Sequence, residues 1–145
     1  MSTQIGLIAY LDILGYKNLL EKNEPEDIAK NVLPLLSSID KDVILLAKKE
    51  LIEVATEKEK TNIMIDNIIE TIKFIVISDS IVVAIPCEYQ NQFKDVLCWV
   101  ILFSILINLQ GNLFISGLPL RGVINYGKYY LEKNCFAGRP IVEAY

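Results

Sequence analysis

The sequence predicts a single α+β domain, in which four strands and two helical segments follow one another in the order βαββαβ. The chain has 145 residues, of which 52% are hydrophobic. That is enough to bury one core and too little for two ordinary domains. Short β-branched runs that end at polar residues predict the strands, and longer segments between them predict the helices. We therefore expect one domain over residues 1–145.

The first strand is predicted by the apolar run from Ile5 to Leu11, which ends where Asp12 interrupts it. Gly15 allows a turn, and a helix is expected to begin over residues 16–22. The strand thus ends at a carboxylate that lies beside a turn.

Residues 24–54 form the first long helical segment. Pro25 lies near its first turn, whereas Pro34 should kink or split it, so a helical hairpin and a bent helix both fit. The charged residues 55–62 predict an exposed connection before the sheet resumes.

A tight hairpin is predicted next. Two β-branched runs, Ile72 to Ile77 and Ile81 to Ile85, flank the polar residues Ser78, Asp79 and Ser80. An acid therefore lies at the tip of this hairpin.

The second half of the chain predicts one helix and one more strand. The helix covers residues 90–110 and should stop near Gly111. The strand runs from Pro119 to Gly127 with Arg121 near its start, and a further helix is expected to begin around Pro140.

This order of elements is that of a ferredoxin-like fold, an antiparallel sheet with helices packed on it. In that topology the first strand lies beside the second strand of the hairpin. Asp12 and Asp79 should therefore be neighbours at one end of the sheet.

Two adjacent carboxylates repel each other unless a proton or a cation neutralises them. Mg²⁺ or Mn²⁺ suits such a pair, because hard cations take oxygen ligands and complete their shell with water and phosphate oxygens. Backbone N–H groups from Ile13 to Tyr16, opened by Gly15, would form an anion-binding concavity for phosphates. The alternative is that each aspartate is only a turn former or a helix cap.

Composition argues against several other classes of protein and of binding site. A net charge of −4 argues against binding of a nucleic-acid polymer. Three cysteines without CxxC spacing, and no histidine, argue against structural zinc. The N-terminus does not resemble a signal peptide, and the apolar run of about 12 residues from Val96 to Ile107 is shorter than the ~18 needed to span a membrane. We therefore expect a cytoplasmic protein that does not bind membranes.

Four segments, AYLDILGYKNL, ISDSIVVAIP, LRGVINYGKYY and FAGRPIVEAY, resemble in order the motifs of the class III nucleotidyl cyclases. The catalytic domain of that family is a ferredoxin-like palm. The resemblance implies that Asp12 and Asp79 are catalytic and bind the metals together with Ile13. We expect phosphates to be bound by the loop residues Leu14, Gly15 and Tyr16 and by Arg121, which occupies the family's arginine position. Arg139, although it does not occupy a family arginine position, could also reach a phosphate.

The last motif departs from the family pattern. Arg139 stands at the family's acidic position and Val142 at its asparagine, and the sequence ends at Tyr145 before the family's arginine. Ending inside an expected helix indicates a fragment or a minimal palm. A lost transition-state donor of this kind can cost ~3–4 kcal/mol, so standard cyclase activity is in doubt.

The resemblance first implies an enzyme, a divergent nucleotide cyclase or palm-type nucleotidyltransferase that acts with two metals on a nucleoside triphosphate and releases pyrophosphate. A homodimer is the expected assembly, because sites in this family lie at a dimer interface. One alternative is a catalytically inactive nucleotide-binding signalling module. Others are a small palm synthase of cyclic oligonucleotides in antiviral signalling and an interaction domain without a ligand.

Overall fold

The computed structural model describes residues 3–133 and 135–138 of the chain. The described elements confirm the α+β prediction. The strands are β1 (Gln4–Ile13), β2 (Lys73–Ile77), β3 (Ser80–Pro86), β4 (Leu120–Glu132) and β5 (Cys135–Gly138). The helices are α1 (Tyr16–Lys22), α2 (Pro25–Asn31), α3 (Leu33–Val54), α4 (Lys58–Thr71) and α5 (Gln92–Ile115).

The five strands form one antiparallel sheet in the order β2-β3-β1-β4-β5. β1 lies at the centre, paired with β3 on one edge and with β4 on the other. The predicted contact between the first strand and the second strand of the hairpin is therefore confirmed. β5, which the sequence did not predict as a strand, extends the sheet beyond β4.

β1 is buried on both faces of the sheet because its apolar run has no polar alternation. Leu7 and Ala9 belong to the main core, which the helices cover. Ile8 and Tyr10 point to the opposite face, where they pack in a smaller apolar cluster with Val82 and other sheet residues. Successive side chains alternate between faces, so Asp12 shares the face of Tyr10, away from the helices.

The long helical segment is split at its proline. α2 ends at Asn31 and α3 begins at Leu33, with Pro34 in the first turn of α3. Proline is tolerated in that turn because the N–H it lacks would have no intrahelical acceptor. The bent-helix alternative is therefore replaced by two helices.

The exposed connection predicted over residues 55–62 is too long, because α4 begins at Lys58. Ile65 and Ile68 lie three residues apart on one face of α4 and are buried in the core. Glu59 and Lys60, two of the charged residues that suggested a loop, instead lie in the first turn of this helix and are exposed to solvent.

The helix predicted to stop near Gly111 continues to Ile115. Its end is a Schellman motif in which Gly117 has φ +78°. The N–H of Gly117 donates to Phe114 O at 3.0 Å, and the N–H of Leu118 donates to Leu113 O at 2.8 Å. Gly117 therefore ends the helix, while Gly111 lies inside it.

By length and composition alone, α5 is the one described helix that is long and apolar enough to cross a membrane. The mean hydropathy of an 18-residue window within it is 1.9. Core helices of soluble proteins share these properties. The sequence prediction of a buried helix holds for one face of α5, whose buried residues are Asp95, Leu97, Cys98, Ile101, Leu102, Ile105, Leu109 and Leu113.

The strand expected from Pro119 to Gly127 is confirmed and continues as β4 to Glu132. The helix expected around Pro140 lies outside the described residues.

The two glycines around the end of α5 should respond oppositely to alanine. A Cβ at either position meets nothing within 4 Å, so only backbone conformation decides the effect. We expect Gly111→Ala to raise the free energy of unfolding by about 0.5–1 kcal/mol, because alanine favours the helix interior. Gly117→Ala should lower it by about 1 kcal/mol, because the left-handed backbone strains a residue with a Cβ. Urea unfolding of both variants measures this, and equal shifts of one sign would contradict the helix end described above.

Candidate functional site

The candidate site is built on a row of three side chains that crosses the three central strands of the sheet at one end. Asp12, near the end of β1, lies directly opposite Ser80 of β3 and Arg121 of β4. Ser80 Oγ donates to Asp12 Oδ1 at 3.3 Å, and Arg121 Nε lies 4.0 Å from Asp12 Oδ2. Both oxygens of one carboxylate are therefore contacted by neighbouring strands.

The carboxylate of Asp12 remains accessible within this row. Its side chain is 35% exposed and that of Arg121 is 73% exposed. An ion pair of that kind contributes little to stability, about 0–1 kcal/mol. The pair therefore leaves both groups available to a ligand at small cost to the fold.

The hydroxyl of the buried residue Tyr10 is hydrogen-bonded to the serine of this row. Tyr10 is 6% exposed, and its Oη lies 3.0 Å from Ser80 Oγ. Because Ser80 donates its proton to Asp12, the Tyr10 hydroxyl is the donor in this contact. The relay from Tyr10 through Ser80 fixes the rotamer of Ser80, which in turn orients Asp12.

Sequence reasoning missed Tyr10 as a site residue. The signal was present, because Tyr10 and Asp12 are two residues apart on one strand and so share a face. Ser80 was placed at the hairpin tip, but its bond to Asp12 depends on the strand register, which the sequence does not give.

Asp79 is brought to the same place by the β2–β3 turn. Ile77 pairs with Ser80, so Ser78 and Asp79 form a two-residue loop. The backbone carbonyl of Asp79 accepts a hydrogen bond from the N–H of Ile13 at 2.7 Å. This bond ties the hairpin tip to the end of β1, beside Asp12, and both acids are half-buried.

These elements border an open cleft of about 540 Å³, a volume within the usual range of ligand sites. Every predicted site residue in the described part of the chain lines it, namely Asp12, Ile13, Leu14, Gly15, Tyr16, Asp79 and Arg121. The other lining residues are Tyr10, Lys17, Asn18, Glu21 and Ser80. Arg139, the remaining predicted phosphate ligand, lies outside the described residues.

Two of the backbone N–H groups expected to bind phosphate are already engaged. That of Ile13 donates to Asp79 O, and that of Leu14 donates to Pro119 O at 2.8 Å. Phosphate binding by either would require its present bond to break. Gly15 and Tyr16 lie at the start of α1, where N–H groups have no intrahelical acceptor, so they are the better donors.

The charges that line the cleft favour a cation. Asp12, Asp79 and Glu21 oppose Lys17 and Arg121, which gives a net formal charge of −1. Each of the two basic side chains is also within 4.0 Å of one of these carboxylates. A triphosphate alone would therefore meet a mildly repulsive site, and a divalent cation would reverse the sign.

The donor set fits a metal that keeps open positions. Among the described residues no group of three or more histidine, cysteine or acidic side chains could hold a metal ion. Two carboxylates are nevertheless the usual protein contribution to a Mg²⁺ site that is completed by water and substrate phosphates. Ile13 is 3% exposed and hydrocarbon, so it can contribute only through its backbone.

A second cleft, near the start of α5, carries the buried thiols Cys87 and Cys98 and the carboxylate of Asp95. Cys87 Sγ donates to Asp95 Oδ1 at 3.4 Å. Burial raises the pKa of Cys98 to about 12 and also raises the pKa of Cys87. Burial therefore holds both thiols in the protonated form.

No protein-family model matches this sequence, and no curated protein matches it.

Ser78 gives a direct test of the hairpin that carries Asp79. Its φ of +55° lies in the left-handed region, which glycine adopts without strain. We expect Ser78→Gly to raise the free energy of unfolding by about 0.5–1 kcal/mol, because relief of strain exceeds the added flexibility of the unfolded chain.

The matched control is Ser37→Gly, at an exposed helical position of α3. There the same change should lower stability by about 0.5 kcal/mol. Chemical denaturation of both variants compares them, and a loss of stability in Ser78→Gly would mean that the turn geometry is wrong.

Proposed function

We propose that this chain is a ferredoxin-like palm domain that binds a nucleoside triphosphate with Mg²⁺ or Mn²⁺, as a divergent nucleotide cyclase or related nucleotidyltransferase. The observation that carries the proposal is the convergence of Asp12, Asp79 and Arg121 in one cleft. They come from β1, the β2–β3 turn and β4, three places far apart in the sequence.

The order of the strands supports the palm assignment. The run β2-β3-β1-β4 is antiparallel throughout, and the main core between sheet and helices lies on one face. The cleft opens on the other face, at the end of β1 and at the starts of β3 and β4. This is the arrangement expected of a βαββαβ palm with one added strand.

The chemistry of each residue in the cleft suits it to bind either the metal or a phosphate. The carboxylates of Asp12 and Asp79 would hold the metal, and Ser80 would keep Asp12 in place. Arg121 can turn its exposed guanidinium from Asp12 to a phosphate, a partner that it contacts more strongly because of the greater charge. The N–H groups of Gly15 and Tyr16 would position a terminal phosphate.

A bound divalent metal would supply charge neutralisation on the phosphates and activate a ribose hydroxyl. In the reaction that the resemblance implies, the ribose 3′-oxygen forms a bond to the α-phosphorus. The bond from that phosphorus to the bridging oxygen breaks, and pyrophosphate leaves with the electron pair. The hydroxyl proton passes to water or to a carboxylate of the cleft.

A specific observation favours a second candidate, a nucleotide-binding module without turnover. Lys17 and Arg121 are the two basic side chains among the described residues that line the cleft, and both face carboxylates. A phosphoryl-transfer site gains much of its rate from cations directed at the developing charge. Nucleotide binding with slow or absent turnover is therefore the second candidate function.

The test is a titration of the protein with Mn²⁺ and each of the four nucleoside triphosphates, followed by mass spectrometry of the products. We expect at least one triphosphate to bind in a metal-dependent way, and Asp12→Asn and Asp79→Asn each to weaken that binding at least tenfold, about 1.4 kcal/mol. Asp42→Asn, at an exposed position of α3, is the matched control and should change nothing.

Three outcomes separate the candidates. Binding with release of pyrophosphate supports the enzyme, whereas binding without pyrophosphate supports the module. Failure of all four triphosphates to bind, or equal binding by wild type and Asp12→Asn, overturns the proposed function.

A further inference from the structure

The outer face of α5 carries a regular apolar stripe that the fold does not bury. Its positions follow one another at alternating intervals of three and four residues. They are Phe93, Val96, Val100, Phe103, Ile107, Gln110 and Phe114, and we call them the outer stripe. The exposure of its six apolar members ranges from 39% at Val100 to 72% at Ile107.

Two other sides of α5 already have packing partners. Its inner face is buried in the main core against the sheet. One flank is held by α3, where Glu50 Oε2 accepts hydrogen bonds from Ser104 Oγ at 3.1 Å and from Asn108 Nδ2 at 3.2 Å. The outer stripe has fewer partners: apart from the stacking of Phe103 on Trp99 along the helix, its side chains remain partly exposed to solvent.

The spacing is that of a coiled-coil seam, in which positions a and d alternate every three and four residues. Seven such positions from Phe93 to Phe114 extend over about 32 Å of helix. A seam of this kind fits another helix better than a flat surface, because its side chains insert between those of the partner.

The stripe is also symmetric about its centre. When two copies of α5 run antiparallel, Phe103 meets Phe103, Val100 meets Ile107, and Phe93 meets Phe114. Val96 then faces Gln110. Every aromatic residue thus meets an aromatic residue of the other copy, so the stripe is complementary to itself under a two-fold axis.

Charge supports the same partner. The only charged residues of α5 are Lys94 and Asp95, both in its first turn, and neither lies on the stripe. Two copies would therefore meet without repulsion between like charges. A helix that lies on a lipid surface is usually flanked by several basic side chains, and α5 has one.

The exposed apolar area is sufficient for a small interface. The stripe exposes roughly 600 Å² per copy, from three large aromatic and three aliphatic side chains. Two copies would bury at most about 1,200 Å², which reaches the lower end of the range for specific interfaces.

We propose that the outer stripes of two copies of this chain pack against each other as an antiparallel helix pair, forming a two-fold dimer. The site of association is the helical side of the sheet, whereas the Asp12 cleft opens on the opposite face. This interface differs from the one at the site that the resemblance implies. It is therefore independent of the proposed nucleotide binding, and each can fail without the other.

Sedimentation equilibrium of the full chain over a range of concentrations tests the association. We expect a reversible dimer of the 16.4 kDa chain. Phe103→Glu should raise the dimer dissociation constant at least 100-fold, because it places two carboxylates opposite each other at the two-fold axis. Leu45→Glu, at a 68% exposed position of α3, is the matched control and should leave the dimer unchanged.

Cross-linking tests the antiparallel arrangement. In a Cys135→Ser background, which removes the exposed native thiol, Phe103→Cys should form an intermolecular disulfide under mild oxidation by glutathione disulfide. Phe93→Cys should not, because its counterpart lies at the other end of the pair. Cross-linking of both variants would indicate a parallel pair and overturn the geometry.

Two results would overturn the proposal itself. One is a monomer at every concentration, and the other is a dimer that Phe103→Glu leaves intact while its circular dichroism stays native. A chain that remains monomeric but floats with neutral phosphatidylcholine vesicles through the stripe would assign the surface to lipid instead.

Discussion

The pairing of β1 with strands on both of its edges is the constraint on which the rest of the structure depends. β1 is buried on both faces, and its register is fixed against β3 and β4 at the same time. A slip of one residue would exchange the two faces of the strand. Asp12 would then point into the apolar core under the helices, and Leu11 would take its place in the cleft. The hydrophobic core therefore sets the position of the site acid.

Two glycines show how closely the neighbouring chains approach this strand. A Cβ at Gly6 would lie 2.1 Å from Ile85 O, and a Cβ at Gly122 would lie 2.2 Å from Tyr10 O. Gly122 follows Arg121 directly, so the backbone contact that admits no side chain also fixes the start of β4. The tight packing of the sheet and the placement of Arg121 beside Asp12 are thus one feature. The closely packed sheet therefore holds the half-exposed site residues in fixed positions.

Much of this architecture could be predicted from the residue pattern, because it depends on local signals. Asp12 and Asp79 interrupt or join β-branched runs, and the order of elements is enough to place those runs side by side. The end of α5 was mislocated because Gly111 and Gly117 look alike in sequence. Only the Schellman hydrogen bonds distinguish the glycine that ends the helix. The hydrogen bonds of Tyr10, Ser80 and the Leu14 N–H could not be foreseen either, since they depend on register and on the path of a turn.

The proposed function requires that Asp12 and Asp79 share one metal ion above the end of β1. Crystals of the protein grown with Mn²⁺ and a non-hydrolysable nucleoside triphosphate analogue, measured at a wavelength where manganese scatters anomalously, test it most directly. We predict an anomalous peak within about 2.5 Å of a carboxylate oxygen of each aspartate, with phosphate oxygens completing its shell. A peak that contacts neither aspartate, or the absence of any peak in the cleft, would contradict the account.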